Sequence, residues 1–221
     1  MCGRFALTME LSELQAAFPW IDFGSGYTPR YNIAPSQDIL TFPNTMPGKA
    51  GWFRWGLIPP WAKDVKIGYQ LINARGETVA EKPSFRNAFR NRRCLIPADG
   101  FYEWKKEGAT KTPYCIRMTS ARPFAFAGLW EQWGSDSETL FSCTIITTDA
   151  NTVVNPIHHR MPVILSPSDY EAWLDPEFQD DKTLTRLLTP FQAEKMTAFP
   201  ISKQINNPRN EGPGTVVPAP E

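Results

Sequence analysis

The chain has 221 residues, enough for one large domain or two small ones, and 42% hydrophobic content can fill a substantial core. Its 23 basic side chains balance 23 acidic ones, so no global field draws it to nucleic acid and any such binding must rest on a local patch. Cys2, Cys94, Cys115 and Cys143 form no CxxC pair, which argues against a zinc site, and without a signal peptide or long apolar run a reducing cytoplasm is expected, with no disulfides and no membrane.

The chain opens Met1-Cys2-Gly3-Arg4-Phe5. Aminopeptidases generally remove an initiator methionine that precedes a small side chain, and cysteine is small. Removal leaves one residue with both a free α-amine and a β-thiol, whose unperturbed pKa values are about 8 and about 8.5. Such a 1,2-aminothiol adds to an aldehyde through nitrogen and closes through sulfur to a thiazolidine, which no internal cysteine can do. A small apolar residue buried near a chain end is the plainer reading of Cys2.

Thr8 to Phe18 reads as a helix, with Thr8 as cap and Leu11, Leu14 and Phe18 at helical spacing. Gly24 to Pro35, ending in Arg30-Tyr31-Asn32-Ile33-Ala34-Pro35, reads as loop. Strands are expected over Asp38 to Phe42 and Gly51 to Trp55, before a proline-rich stretch, Trp55-Gly56-Leu57-Ile58-Pro59-Pro60-Trp61, that fits no regular element. Pro83 can start a short helix to about Asn91. Cys94 to Pro97, Phe101 to Lys105, Pro113 to Met118, Phe124 to Trp130 and Thr139 to Thr147 carry β-branched and aromatic residues between turn signals, and Pro162 to Leu165 suggests one more strand. Helices follow from Ser166 to about Leu174 and over Asp181 to Leu188, and the last ten residues, 212–221, read as a mobile tail. These elements describe an α+β chain, one domain with a mainly antiparallel sheet core and peripheral helices.

Four segments concentrate chemistry: Cys2-Gly3-Arg4-Phe5, Asn73-Ala74-Arg75-Gly76-Glu77-Thr78, Ala98-Asp99-Gly100-Phe101-Tyr102-Glu103-Trp104 and His158-His159-Arg160-Met161-Pro162. Strand alternation turns Glu103 away from Tyr102 and Trp104, and burial there would raise its pKa toward neutrality, suiting proton transfer. For Glu103 alone, a half-exposed carboxylate paired with Lys105 or Lys106 is the plainer reading. His158 and His159 are the only histidines; adjacent in an extended segment, they point apart, so a shared metal is not expected, while proton transfer and a solvated loop role both stand. Asn73 can hold an amine or a phosphate without titrating, or simply bond its own backbone. Arg86, Arg90, Arg92 and Arg93, with Arg4, Arg30, Arg75 and Arg160, could line a positive groove, and Trp52, Trp55 and Trp61 could stack on bases; arginine runs are also often solvated and tryptophans often core.

Taken in order, these segments closely resemble the SRAP family, named for "SOS-response-associated peptidase". The resemblance rests on Met1 to Phe5, Arg30 to Pro35, the Trp55 to Trp61 segment, Asn73 to Thr78, Ala98 to Trp104 and His158 to Pro162, and spans Cys2 to about Gly212. It implies a barrel-like β core in an SRAP domain over residues 2–211, and a sensor of abasic sites in single-stranded DNA. In that reading Cys2 supplies amine and thiol, Asn73 positions the amine or sugar, Glu103 shuttles protons, and His158 assists sugar ring opening and reversal. Arg4, Arg75 and Arg160 would bind flanking phosphates, and Pro35 and Trp61 would wedge and stack against DNA ends. No metal or organic cofactor is implied, and a monomer is expected. Two alternatives stay open: a thiol peptidase using Cys2 and His158, limited to self-processing or crosslink release, and a noncatalytic reader of single strands or modified bases.

Overall fold

The computed structural model describes residues 2–134 and 138–218. The chain runs through β1 (Phe5–Leu7), α1 (Leu11–Ala17), β2 (Arg30–Ile33), β3 (Asp38–Pro43), β4 (Gly51–Trp55), β5 (Asn73–Arg75) and α2 (Arg86–Asn91). The strand-rich middle follows: β6 (Arg93–Ala98), β7 (Gly100–Glu107), β8 (Thr110–Met118), β9 (Phe124–Trp133) and β10 (Leu140–Asp149). It ends with β11 (Arg160–Pro162), β12 (Ile164–Leu165), α3 (Tyr170–Leu174), α4 (Asp181–Arg186) and β13 (Met196–Pro200).

Near-continuous apolar strands, buried on both faces in β3, β6, β9 and β10, favour closure of the central sheet. β10 pairs with β4, β4 with β3, β3 with β6, β6 with β9, and β9 returns to β10, so five strands form a closed barrel whose only parallel pair is β4–β10. Closure leaves no free edge within the ring, and inward side chains fill it. Gly128 on β9 permits the tight packing, because a Cβ there would lie 2.8 Å from Ile96 and 2.9 Å from the Cys94 sulfur. β5 adds parallel to β10, while β11 adds antiparallel to it. A second sheet, ordered β13-β8-β7-β1-β2, lies against the barrel. Phe5 joins the two layers, with its ring edge-on to Trp55 at 5.3 Å and to Phe126 at 5.7 Å. The α+β class, the antiparallel character and the barrel core are as the sequence led one to expect.

Several local expectations change. Thr8 does not cap α1: its hydroxyl and backbone N–H both donate to Asp99 at 2.6 Å, and the helix starts two residues later at a capping box of Glu10 and Glu13. Arg30–Ile33 is a strand instead of loop, because β1 offers an unpaired edge that its backbone completes. The chain beyond Gly212 is not a free tail through Pro218: Pro213–Thr215 forms a 3-10 turn, Thr215 is buried, and Pro218 bridges Ile201. Val216 supplies the apolar anchor, packing against the small cluster of Ala6, Tyr102 and Cys115. Residues 219–221 lie outside the described residues.

Candidate active site at the amino terminus

β1 is only three residues long, yet it fixes the start of the chain. Phe5 pairs with Phe101 and Ala6 with Gly100, and the Tyr102 N–H donates to the Arg4 carbonyl at 3.0 Å. Continuing this antiparallel register backward sets Gly3 opposite Glu103, with Cys2 next along the chain and within reach of the Glu103 charge. Alternation on β7 sends Phe101 into the main core and Tyr102 into the smaller outer cluster, so Glu103 faces inward with Phe101. Cys2 is fully buried, and its thiol donates weakly to the Arg4 carbonyl at 3.9 Å. Burial, and then the nearby Glu103 charge, push the thiol pKa well up, so the sulfur rests as S–H. Glu103 is itself buried at 4% exposure, and that burial pushes its carboxyl up to about 7. The alternative of a half-exposed carboxylate paired with lysine falls away, since Lys105 instead bonds Glu107 at 2.7 Å.

Trp55 ties the Asn73 segment to β1. The indole ring packs on Phe5 while its N–H donates to the Ile72 carbonyl at 2.9 Å, holding the backbone immediately before Asn73. Asn73 donates its own amide N–H to that carbonyl at 3.0 Å, whereas its Oδ1 is buried and accepts no hydrogen bond among the described residues. An acceptor in that state suits an N–H donor such as an amine. The approach to Asn73 depends on Gly56 and Gly68, whose backbones touch: a Cβ on Gly56, which has φ +129°, would sit 2.6 Å from the Gly68 carbonyl oxygen.

His158 stands just before β11. Two backbone groups of Arg160 meet His158 Nδ1: the N–H at 3.0 Å, from which an unprotonated Nδ1 accepts, placing the neutral ring's proton on Nε2, and the carbonyl oxygen at 3.1 Å, to which a protonated Nδ1 donates. Burial lowers the His158 pKa, favouring the neutral ring. The two histidines do not point apart: the chain turns at this point, and their rings stack with centroids 4.5 Å apart. Among the described residues, no group of three or more His, Cys, Asp or Glu side chains is placed to hold a metal.

The candidate DNA contacts divide into two groups. Arg75 is exposed at the end of β5, Trp61 is 58% exposed, and Pro35 lies half-buried in the turn between β2 and β3. Arg4 and Arg160 are instead engaged within the protein. Arg4 donates to Asn32 at 2.6 Å and to the Ile205 carbonyl at 2.8 Å, while Arg160 is gripped by Glu77, Asp149 and the Thr147 carbonyl. The arginine run does not form a groove. Arg90 pairs with Asp181, Arg92 with Glu131, and Arg93 is buried, because the helix ends at Asn91 and the chain turns into β6, so the three side chains meet different neighbours. Trp55 is core, so only Trp52 and Trp61 of the three tryptophans offer exposed rings. Sequence reasoning quoted Glu77 within its motif but gave it no part; the signal was its place four residues after Asn73, with Arg160 in the histidine motif as an opposite charge to pair with it.

A cleft of about 540 Å³ lined by Trp20, Phe42, Met46, Tyr170 and Leu174 contains none of the four chemical side chains. No helix among the described residues is long and apolar enough to cross a membrane.

Comparison with known proteins places this geometry. The profile of the "SOS response associated peptidase (SRAP)" family matches residues 1–208. "Abasic site processing protein YoqW" of Bacillus subtilis is 48% identical over 218 residues, covering 96% of this chain and 97% of its own length. "Abasic site processing protein HMCES" of Xenopus tropicalis is 30% identical over 259 residues, covering 96% of this chain and 77% of that protein. A crystal structure of a protein from Bacteroides thetaiotaomicron superimposes with TM-score 0.89 at 30% identity, over 99% of this chain and all of the other. The chain belongs to the SRAP family.

Proposed function

We propose that this protein captures abasic sites in single-stranded DNA as a covalent thiazolidine crosslink, using the amine and thiol of Cys2 once Met1 is removed. The observation that carries the reading is the β1–β7 register, which sets the residue-2 end of the chain against a buried, proton-holding Glu103. The abasic-site names of the relatives support it. Met1 lies outside the described residues.

The ring-opened sugar presents an aldehyde. The Cys2 amine attacks it, Glu103 delivers and removes the protons that expel water, and a C=N bond results. The Cys2 sulfur then adds to the imine carbon: a C–S bond forms, the thiol proton passes by way of Glu103 to nitrogen, and the carbon becomes saturated. Asn73 Oδ1 accepts from the amine and orients it, and His158 acts on the sugar oxygen during ring opening and reversal. Arg75 contacts phosphates, and Trp61 and Pro35 meet the bases at the strand ends, while Arg4 braces the neighbouring carboxyl-terminal segment; this affinity is sequence-independent and weakens with salt. Arg160 acts behind His158 rather than as a primary phosphate contact. The burial that keeps the Cys2 thiol protonated favours this amine-first order over a thiol peptidase, which needs a thiolate. The site of action is the cytoplasm, on exposed single strands.

Single-stranded DNA carrying one abasic site, incubated with the processed protein and run on a denaturing gel, should give a heat-stable adduct that intact DNA does not. Cys2→Ala should abolish it; an equal adduct from that variant sinks the mechanism. With Glu103 as the base, the wild-type crosslinking rate should rise with pH through a midpoint near 7. Glu103→Gln should be slower by about 100-fold and keep only the later rise from the α-amine, near about 8. A Gln variant with the wild-type pH profile removes Glu103 from proton transfer.

A further inference from the structure

β11 is a three-residue strand at the edge of its sheet, and its first residue, Arg160, is the one that holds the His158 ring. Such an end frays unless something pins it. The pin is the Arg160 side chain. Its guanidinium forms a two-pronged pair with Glu77, Nη1 to Oε1 at 2.6 Å and Nη2 to Oε2 at 2.9 Å. It also donates to Asp149 at 2.8 Å and to the Thr147 carbonyl at 2.7 Å. Thr147 lies opposite Arg75 on one edge of β10 and opposite Pro162 on the other, so the clamp spans the strand that separates the Asn73 segment from the His158 segment. Glu77 follows Asn73 by four residues, in the short 3-10 turn that ends β5. Gly76 keeps that turn against β10, since a Cβ there would already press on Leu188 and on the Thr147 carbonyl at 3.3 to 3.4 Å.

We propose that Glu77 is a positioning residue: by clamping Arg160 from the Asn73 side, it fixes the backbone N–H that holds His158 Nδ1, and so sets the tautomer and aim of the imidazole. Planar two-pronged pairing supplies the direction that a lone charge lacks. A histidine held through one nitrogen presents a defined proton on the other, as supported ligating histidines do in metal sites. Nothing in the proposed chemistry assigns Glu77 or Asp149 a part. The inference rests on the crosslinking reading for its kinetic consequence, but not for its structural one.

The test has one arm without DNA and one with it. Nitrogen-15 spectra of the histidines in the free protein, with His159→Gln to assign the resonances, should show His158 in a single neutral tautomer protonated on Nε2. Glu77→Ala should give a tautomer mixture, and Glu77→Gln, which keeps one acceptor on Arg160, an intermediate pattern. In single-turnover crosslinking at saturating abasic DNA, Glu77→Ala should lose about tenfold in rate at unchanged DNA affinity. Combined with His158→Ala, it should be no slower than His158→Ala alone. An unchanged tautomer overturns the proposal, as does additive loss in the double variant. Weaker DNA binding at unchanged rate also overturns it, by assigning Glu77 to affinity. Should Glu77→Ala fail to fold, the Glu77→Gln spectrum decides. A wild-type protein that gives no crosslink at all overturns the proposed function, while the spectra still judge the clamp.

Discussion

Replacing Cys2 by serine should turn the protein from a trap into a strand cleaver. Serine is small, so Met1 would still be removed and the α-amine would still meet the aldehyde. Imine formation needs only that amine and the protons Glu103 manages. The second step is what fails, because an alcohol closes on an imine far less readily than a thiol. The persisting C=N bond then withdraws electrons from the neighbouring sugar carbon. That carbon loses a proton, the C3′–O bond breaks, and the 3′ phosphate leaves. On a denaturing gel the heat-stable adduct should disappear, borohydride should trap a new one, and cleaved strand should accumulate. Cys2→Ala should behave alike, since it too keeps the amine. A serine variant that neither cleaves nor can be trapped by borohydride would show that the amine is not the attacking group. The buried thiol matters here through placement beside the amine, not through a preformed thiolate, which its environment disfavours.

The largest stability loss is expected at Arg93, far from this chemistry. Its guanidinium is fully buried and donates to five carbonyl oxygens: Trp173, Phe89, Arg90, Asp175 and Phe178. All five donors of the fork are thereby used. These carbonyls belong to the end of α2, the end of α3 and the turn before α4, so one side chain closes three pieces of chain onto β6. Burial lowers its pKa to about 10, yet it stays charged at neutral pH. Arg93→Met would fill much of the volume while leaving several carbonyls without a donor, each costing about 1–3 kcal/mol where water cannot reach. A loss of about 3–5 kcal/mol in urea unfolding is expected, with Arg93→Lys only partly restoring it because an ammonium cannot span the five positions. A loss under about 1 kcal/mol would mean that water replaces the fork. Crosslinking by the folded fraction should be unchanged, which separates this arginine from any DNA contact.

Most of the strands from Asp38 onward were legible because each carries its signal locally. Gly51 to Trp55 ends where the alternation does, and the cores of β6 to β10 are marked by β-branched and aromatic runs between turns. The strands that escaped, β1, β2, β5 and β13, are three to five residues long and exist because a neighbouring edge completes their hydrogen bonds. Arg30–Ile33 carries glycine- and proline-rich flanks that look like loop until β1 lies beside it. Thr8 looks like a cap until Asp99, ninety-one residues away, takes both of its donors.

The sequence by itself determined the chemical inventory: a thiol one residue from the start, an amide, a carboxylate and a histidine, in the order of one family. Residue type and order are local properties, and they survive without coordinates. Only the tertiary structure decided which of the charged groups are available. Arg160, Arg93 and Arg4 look alike as letters, but one is clamped beside His158, one is buried in carbonyls and one braces the carboxyl-terminal segment. Glu103 became a group that titrates near neutrality because folding removes its water. The physical reason is common to all of them: a side chain's charge is set by its own bonds, whereas its desolvation and its partners are set by chain segments that meet only in the folded state.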